Sequence, residues 1–156
     1  MDKIILILIT IAALCWVACN THKNKTPDDT ENSPATENPS ESEQWDQRLH
    51  DIWLLTTLNG KELDIHSPRP QLELFPEEGR ISGQGSCNRI FGQMTATAKS
   101  INFSQIGTTK KHCGEWMERE AQFIQELERA ERYLIKDGEL LVFWGDLLTM
   151  SFTRVD

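Results

Sequence analysis

The chain has 156 residues, of which 26% are charged and 38% are apolar, and this composition is typical of one globular domain with appendages. The formal net charge of -8 argues against nucleic acid as a partner, because phosphate binding needs a basic stripe and the basic residues here are scattered among acids. The same acidity argues against docking on anionic lipid headgroups.

The first residues have the pattern of a secretory signal. An apolar run covers Ile4–Leu14, and the small residues Val17-Ala18 stand directly before Cys19. A cysteine in this position is typical of a lipobox, where the signal is removed and the cysteine thiol is acylated. We therefore predict a signal peptide over residues 1–18 and lipidation of Cys19. An uncleaved membrane helix is the alternative, but the apolar run is shorter than the roughly 20 residues that span a bilayer.

The next segment, residues 19–44, is predicted to be a flexible acidic tether. It is rich in Thr, Asn, Ser, Glu and Pro, and Ala35 is the one apolar residue after Cys19, so no core can form there. Six acids and two lysines give this segment a net charge of -4. A chain of this length and composition averages roughly 25–30 Å from end to end. We expect it to hold the domain at 45–156 clear of the membrane.

Most of the domain has the pattern of short strands. The apolar residues alternate or form short runs, and turn dipeptides rich in glycine, proline, asparagine and aspartate separate them. Asp137-Gly138 is a strong signal for a two-residue hairpin turn, and Asn59-Gly60 marks the end of a strand. The predicted strands are Trp53–Leu58, Leu72–Phe75, Arg80–Ser82, Phe91–Thr97, Ser100–Ile106, Tyr133–Lys136, Glu139–Trp144 and Leu147–Val155.

One segment has a helical period instead and predicts an amphipathic helix from about Gly114 to Tyr133. Its apolar positions are Trp116, Met117, Phe123, Ile124, Leu127 and Ala130, and its polar face carries Glu118, Glu126, Glu128 and Arg129. The spacing also allows i,i+4 ion pairs, between Glu115 and Arg119 and between Glu128 and Arg132. We expect the aromatic stripe to pack on the sheet rather than bind a ligand, because a lone helix in a small β-rich domain must bury it. The prediction is an α+β fold: a curled, mostly antiparallel sheet, a partial barrel, with one helix.

The most specific motif joins a glycine-rich turn to a downstream cysteine. The pattern G-x-G-x-C-N with a further glycine, followed by T-x-x-x-C, resembles the META domain, the fold of the HslJ-type heat-shock lipoproteins. The resemblance extends from about Trp53 to Phe152, and that family has no established enzymatic chemistry. It implies a structural motif made of Gly83, Gly85, Cys87, Asn88, Gly92, Thr109 and Cys113.

The two cysteines of this motif remain once Cys15 and Cys19 are assigned to the signal and the lipid. An even pair in an exported domain is most simply a disulfide. Closing the loop between Cys87 and Cys113 with such a bond would stabilise the fold by about 3–4 kcal/mol. Two buried thiols, a metal site and a catalytic thiol are the alternatives.

Catalysis would use Cys87 as nucleophile and His112 as base. Such a pair needs a third orienting group and an oxyanion site, and a nucleophile elbow would need glycine where Arg89 stands. Adjacent residues such as His112 and Cys113 chelate one metal ion poorly, and no C-x-x-C spacing occurs. We therefore predict no catalytic residue, metal or cofactor. Asn88 is expected to satisfy backbone groups, and Arg89 to form an ion pair or stack nearby.

These patterns predict a non-enzymatic lipoprotein of the bacterial cell envelope, anchored in the outer membrane. The family resemblance implies a role in the stress response or envelope maintenance, which we expect to proceed through binding to another protein or a cell-wall component. The alternative is a carrier of a small hydrophobic or lipid ligand in a cavity between sheet and helix. An enzyme is the third possibility. The space beneath Trp116, Phe123 and Leu127 distinguishes the binding module from the carrier, according to whether side chains fill it.

Overall fold

The structure, a computed structural model, describes residues 44–155. In this range it contains nine strands and one α-helix, with 3-10 turns at Gln47–Leu49 and Pro76–Glu78. The strands are β1 (Ile52–Leu58), β2 (Lys61–Glu62), β3 (Gln71–Phe75), β4 (Arg80–Gln84), β5 (Arg89–Ala96), β6 (Ile101–Thr108), β7 (Arg132–Lys136), β8 (Glu139–Trp144) and β9 (Leu147–Arg154). The helix α1 covers Trp116–Glu128. None of the helical structure in the described range has the length and apolar content that crossing a membrane requires.

The expected signal peptide (1–18), the lipidation site Cys19 and all but the last residue of the expected tether (19–44) lie outside the described residues. Those assignments therefore stay predictions from the sequence.

All strand pairs in the sheet are antiparallel, in the order β6-β5-β4-β3-β1-β9-β8-β7, with β2 paired to β1 beside this path. The sheet curls until its two edges approach each other. At that seam the Tyr133 amide donates to the Lys99 carbonyl at 3.1 Å, and the Ile101 amide donates to the Glu131 carbonyl at 3.1 Å. The predicted α+β class, a curled antiparallel sheet forming a partial barrel with one helix, is confirmed.

The inner face of the sheet and one face of α1 form the core. Strand side chains alternate between the two faces, so every second residue of β3, β7 and β8 is buried. Phe123 and Leu127 of the helix are fully buried, and Phe123 meets Phe152 of β9 edge to face with 6.2 Å between ring centroids. The predicted packing of the helical stripe on the sheet is therefore correct for these two residues.

The two turn dipeptides behave as their residues predict. Asp137 and Gly138 have φ values of 53° and 82° and connect β7 to β8 with Lys136 opposite Glu139. Asn59-Gly60, with φ values of 50° and 74°, does more than end a strand. It connects β1 to β2, a short strand that the sequence analysis missed because two residues carry no measurable period.

The helix is shorter than predicted at its C-terminal end. It stops at Glu128, and the chain from Glu131 onward joins the sheet, where the Glu131 amide donates to the Phe143 carbonyl at 2.9 Å. Pairing with β8 therefore overrides the helical period, although Ala130 is still buried as that period indicated.

The predicted i,i+4 ion pairs do not form among the described residues. Arg132 lies in β7 and binds the Gly145 carbonyl and Asp146 instead of Glu128. Arg119 donates to the Ser67 hydroxyl at 2.8 Å. The Glu128–Arg132 pair is absent because α1 ends at Glu128, so Arg132 is not one helical turn away from it.

Candidate functional site

Five of the seven signature residues meet where the glycine turn, the loop after β6 and the start of α1 come together. Gly83 lies in β4 and Gly92 in β5, and the turn that carries Cys87 and Asn88 connects these strands. Thr109 follows β6, and Cys113 lies shortly before α1. The structure brings together Gly85, Cys87, Asn88, Thr109 and Cys113, and we call these residues, with Glu120 of α1, the signature cluster. Gly83 and Gly92 lie farther along the two strands, where each faces the neighbouring strand.

Asn88 is the centre of the signature cluster and is only 2% exposed. Its Oδ1 accepts from the Thr109 hydroxyl at 2.9 Å and from the Lys111 amide at 2.7 Å. Its Nδ2 donates to Glu120 Oε1 at 2.7 Å and to the Lys111 carbonyl at 3.3 Å. The side-chain amide therefore has all its hydrogen-bonding capacity filled from inside the protein, as the structural interpretation of Asn88 predicted.

Glu120 of α1 is the residue of the cluster that sequence reasoning missed. It is 3% exposed, and its Oε2 accepts from the backbone amides of Cys87 at 2.8 Å and Asn88 at 2.6 Å. The carboxylate charge is thus shared among N–H donors, which is how a buried charge without a cation is stabilised. A signal was present in the sequence: Glu120 stands at helical spacing between Trp116 and Phe123, on the apolar stripe.

Two glycines of the signature are required by close approach. A side chain on Gly85 would overlap the Glu120 carboxylate, and one on Gly83 would overlap the Gln71 carbonyl of the neighbouring strand. The signature thus specifies backbone that comes into contact with a buried acid and an adjacent strand.

A disulfide joins Cys87 to Cys113, with 5.9 Å between the Cα atoms. It fastens the glycine turn to the segment that leads into α1, alongside the hydrogen bonds of Glu120. Of the alternatives left open by the sequence, the structure has the disulfide, so Cys87 presents no thiol to the candidate base His112. His112 itself is exposed in the loop.

Arg89 does not have the partner that its position suggested. Its backbone amide donates to the Thr109 hydroxyl at 3.1 Å, but within residues 44–155 its exposed guanidinium has neither an ion pair nor an aromatic ring beneath it. In the same range, no three His, Cys, Asp or Glu side chains are grouped as metal ligands are.

Glu126 was predicted on the solvent face of α1, and this is wrong. It is 4% exposed, and its Oε1 accepts from Asn59 Nδ2 at 3.3 Å and from the Arg129 guanidinium at 3.2 Å. Arg129 in turn lies 3.7 Å from the centroid of the Trp144 ring. The end of the barrel covers the helix here, so a position that is polar in the helical period becomes buried.

A surface cleft of about 510 Å³ lies between the β1–β2 hairpin and the first turns of α1. Leu58, Leu63 and Trp116 give it an apolar part, and charged residues surround them. The charged lining residues are Lys61, Glu62, Asp64, Glu115, Glu118 and Arg119. Sequence reasoning did not find this cleft, because its two walls are distant along the chain.

The fold and the signature cluster together define a family. The family model for the META domain matches residues 47–155, and this chain belongs to that family. The resemblance stated from the signature residues is therefore confirmed.

Two solved structures are similar to this chain. One is an NMR structure that is 20% identical, covers 68% of this chain and 90% of its own, and has a TM-score of 0.54. The other, an NMR structure of a protein from Burkholderia xenovorans, is 22% identical, covers 85% of this chain and 98% of its own, and has a TM-score of 0.51. At these identities the likeness concerns the fold alone. A comparison with curated proteins gives no match.

Proposed function

We propose that this chain is a lipid-anchored protein of the bacterial outer membrane whose META domain binds another envelope protein and catalyses no reaction. The observation that carries the proposal is the internal use of the signature cluster. Asn88, Glu120 and the disulfide of Cys87 are all engaged in holding the turn to the helix. Because these side chains bond to one another inside the fold, binding would use the accessible surface. The cleft beside Trp116 is large enough to hold part of a partner.

Packing beneath the helix favours this function over the carrier. Phe123 and Leu127 are fully buried, and Phe152 of β9 fills the space below Phe123. A carrier needs an enclosed apolar space at this place. Side chains occupy it here, whereas the cleft near Trp116 is a surface feature with many charges.

The proposed anchor rests on the signal-like pattern before Cys19 and on the acidic segment after it. A tether that extends the domain away from the bilayer suits a protein that meets partners in the envelope, and it suits a role in stress or envelope maintenance. The anchor is tested by labelling cells with a clickable fatty acid. The wild type should be labelled and Cys19→Ala should not, while equal labelling of both would contradict the anchor.

The binding function is tested by photo-crosslinking in living cells. A photoreactive residue placed at Lys61, in the cleft, should form an adduct with one discrete protein, and the same residue at Lys136, an exposed position outside the cleft, should not. Adducts with lipids alone would favour the carrier. The absence of any protein adduct from either position would contradict the binding function.

A further inference from the structure

We infer that the cleft between β2 and α1 accepts an extended, basic segment of the partner protein, which adds as a strand to the free edge of β2. This inference rests on the proposed binding function and specifies its site and the chemistry of its partner. The edge of β2, the charge of the cleft and its apolar floor support it independently.

The free edge follows from the hairpin. Positive φ at both Asn59 and Gly60 gives a two-residue turn in which Leu58 and Lys61 are the hydrogen-bonded pair. Hydrogen-bonded and non-bonded pairs alternate along an antiparallel ladder, so the amide and carbonyl of Glu62 point away from β1. Within the described residues, β2 pairs with β1 and with no other strand. The outward amide and carbonyl of Glu62 can therefore pair with one residue of an added strand.

The charge of the cleft selects a basic occupant. Its lining has four acids against two basic residues, and none of the four acids forms an ion pair within residues 44–155. Arg119 donates to the neutral Ser67 hydroxyl and Pro68 carbonyl and keeps its charge, so the lining has a formal charge of -2. The chain's own tether is a poor occupant, because residues 20–44 carry six acids and two lysines. Lysine or arginine on a partner would relieve the mutual repulsion of these carboxylates.

The floor of the cleft suits the other side chains of such a segment. Leu63 and the half-buried Trp116 contribute apolar surface. Because side chains alternate along a strand, a segment with basic and apolar residues in alternation can reach both the acids and this floor.

Binding is tested with a short labelled peptide in which lysine alternates with valine, using fluorescence anisotropy and the purified full chain carrying Cys19→Ser. We expect this peptide to bind and the same peptide with glutamate for lysine not to bind. The double variant Glu115→Gln/Glu118→Gln should weaken binding on the order of tenfold, because it removes two uncompensated acids. The matched control Glu128→Gln/Glu139→Gln changes the net charge equally at exposed positions outside the cleft and should bind as the wild type does.

Strand addition is tested at Glu62. Glu62→Pro removes the outward N–H and leaves the ladder to β1 intact, because that N–H makes no bond to β1. We expect it to weaken binding clearly more than Glu62→Gln, which removes only the charge. Circular dichroism of both variants confirms that the sheet is kept.

Each of three results would overturn the inference. They are an equal loss of affinity in the Glu128/Glu139 control, an equal effect of proline and glutamine at Glu62, and competition by the small polyamine spermidine at similar concentration. Failure of these experiments while crosslinking from Lys61 still captures a discrete protein removes the strand-addition site alone. Failure of crosslinking as well removes the proposed binding function.

Discussion

The buried carboxylate of Glu120 provides the most direct test of how the signature cluster holds the fold. Glu120→Gln keeps the size of the side chain but supplies only one oxygen. If that oxygen takes the place of Oε2, the amide nitrogen faces Asn88 Nδ2, so a donor meets a donor. The bonds from the Cys87 and Asn88 amides remain but lose the charge of their acceptor.

The expected loss of unfolding free energy in Glu120→Gln follows from these contacts. A hydrogen bond to a charged group contributes about 1.5–3 kcal/mol and a neutral one about 0.5–1.5 kcal/mol, so two weakened bonds lose about 2 kcal/mol in total. The unsatisfied Asn88 donor adds about 1–3 kcal/mol. Relief from burying a charge offsets part of this sum, and we expect a net loss of about 3 kcal/mol of unfolding free energy.

A double-mutant cycle separates this contact from general damage to the helix. Asn88→Asp alone places a second carboxylate against Glu120 and should destabilise by a similar amount or more. In the double variant, the aspartate at 88 can accept from the glutamine at 120. Its loss of unfolding free energy should therefore be smaller than the sum of the two single-variant losses by about 1 kcal/mol or more. Glu128→Gln, an exposed glutamate on the same helix, should change the unfolding free energy by no more than about 0.5 kcal/mol.

The measurement is urea unfolding followed by tryptophan fluorescence, with the disulfide oxidised in every variant, because Cys87–Cys113 fastens the same turn. A loss under about 1 kcal/mol for Glu120→Gln, or strict additivity in the cycle, would refute the role assigned to this carboxylate.

Three further predictions concern the loss of stability at alkaline pH, the Cys87–Cys113 disulfide and the candidate base His112. Burial raises the pKa of Tyr133 above its ordinary value of 10.0, so the folded state favours the neutral phenol. The corresponding stability is present below about pH 10 and is lost as pH rises through the raised pKa. Tyr133→Phe should flatten that alkaline loss in pH-dependent unfolding, and an unchanged profile would contradict it; tyrosinate absorbance monitors this group alone, because the chain has one tyrosine. Reduction of Cys87–Cys113 should lower stability by about 3 kcal/mol, and the double alanine variant should not respond to reductant; two titratable thiols in the native protein would contradict the bond. The unfolding free energy of His112→Ala should stay within about 0.5 kcal/mol of the wild-type value, and cells that carry this variant should have the wild-type phenotype. Loss of that phenotype in a folded variant would argue for catalysis.

The sequence predicted the elements whose signals are local. The alternating strands, the Asp137-Gly138 hairpin and the start of the amphipathic helix each depend on side chains within a few positions, and the structure has all of them. The cysteine pair and the signature glycines were also visible, because unusual residue types at fixed spacing carry information without any coordinates. The family could be recognised from these residues before the fold was known.

The tertiary structure alone decided which polar groups are buried and where the helix ends. Glu120 bonds to Asn88 across 32 positions in sequence, and Glu126 bonds to Asn59 across 67. The position of Glu120 on the apolar stripe indicates that it is buried, but no local pattern states which distant donor will meet its carboxylate. The cleft has the same origin: its walls are a hairpin and a helix that become neighbours only when the sheet curls. The sequence by itself thus determined the signature and the elements with a clear local period. Long-range packing determined β2, the end of the helix, the hydrogen bonds that explain the signature and the surface available for binding.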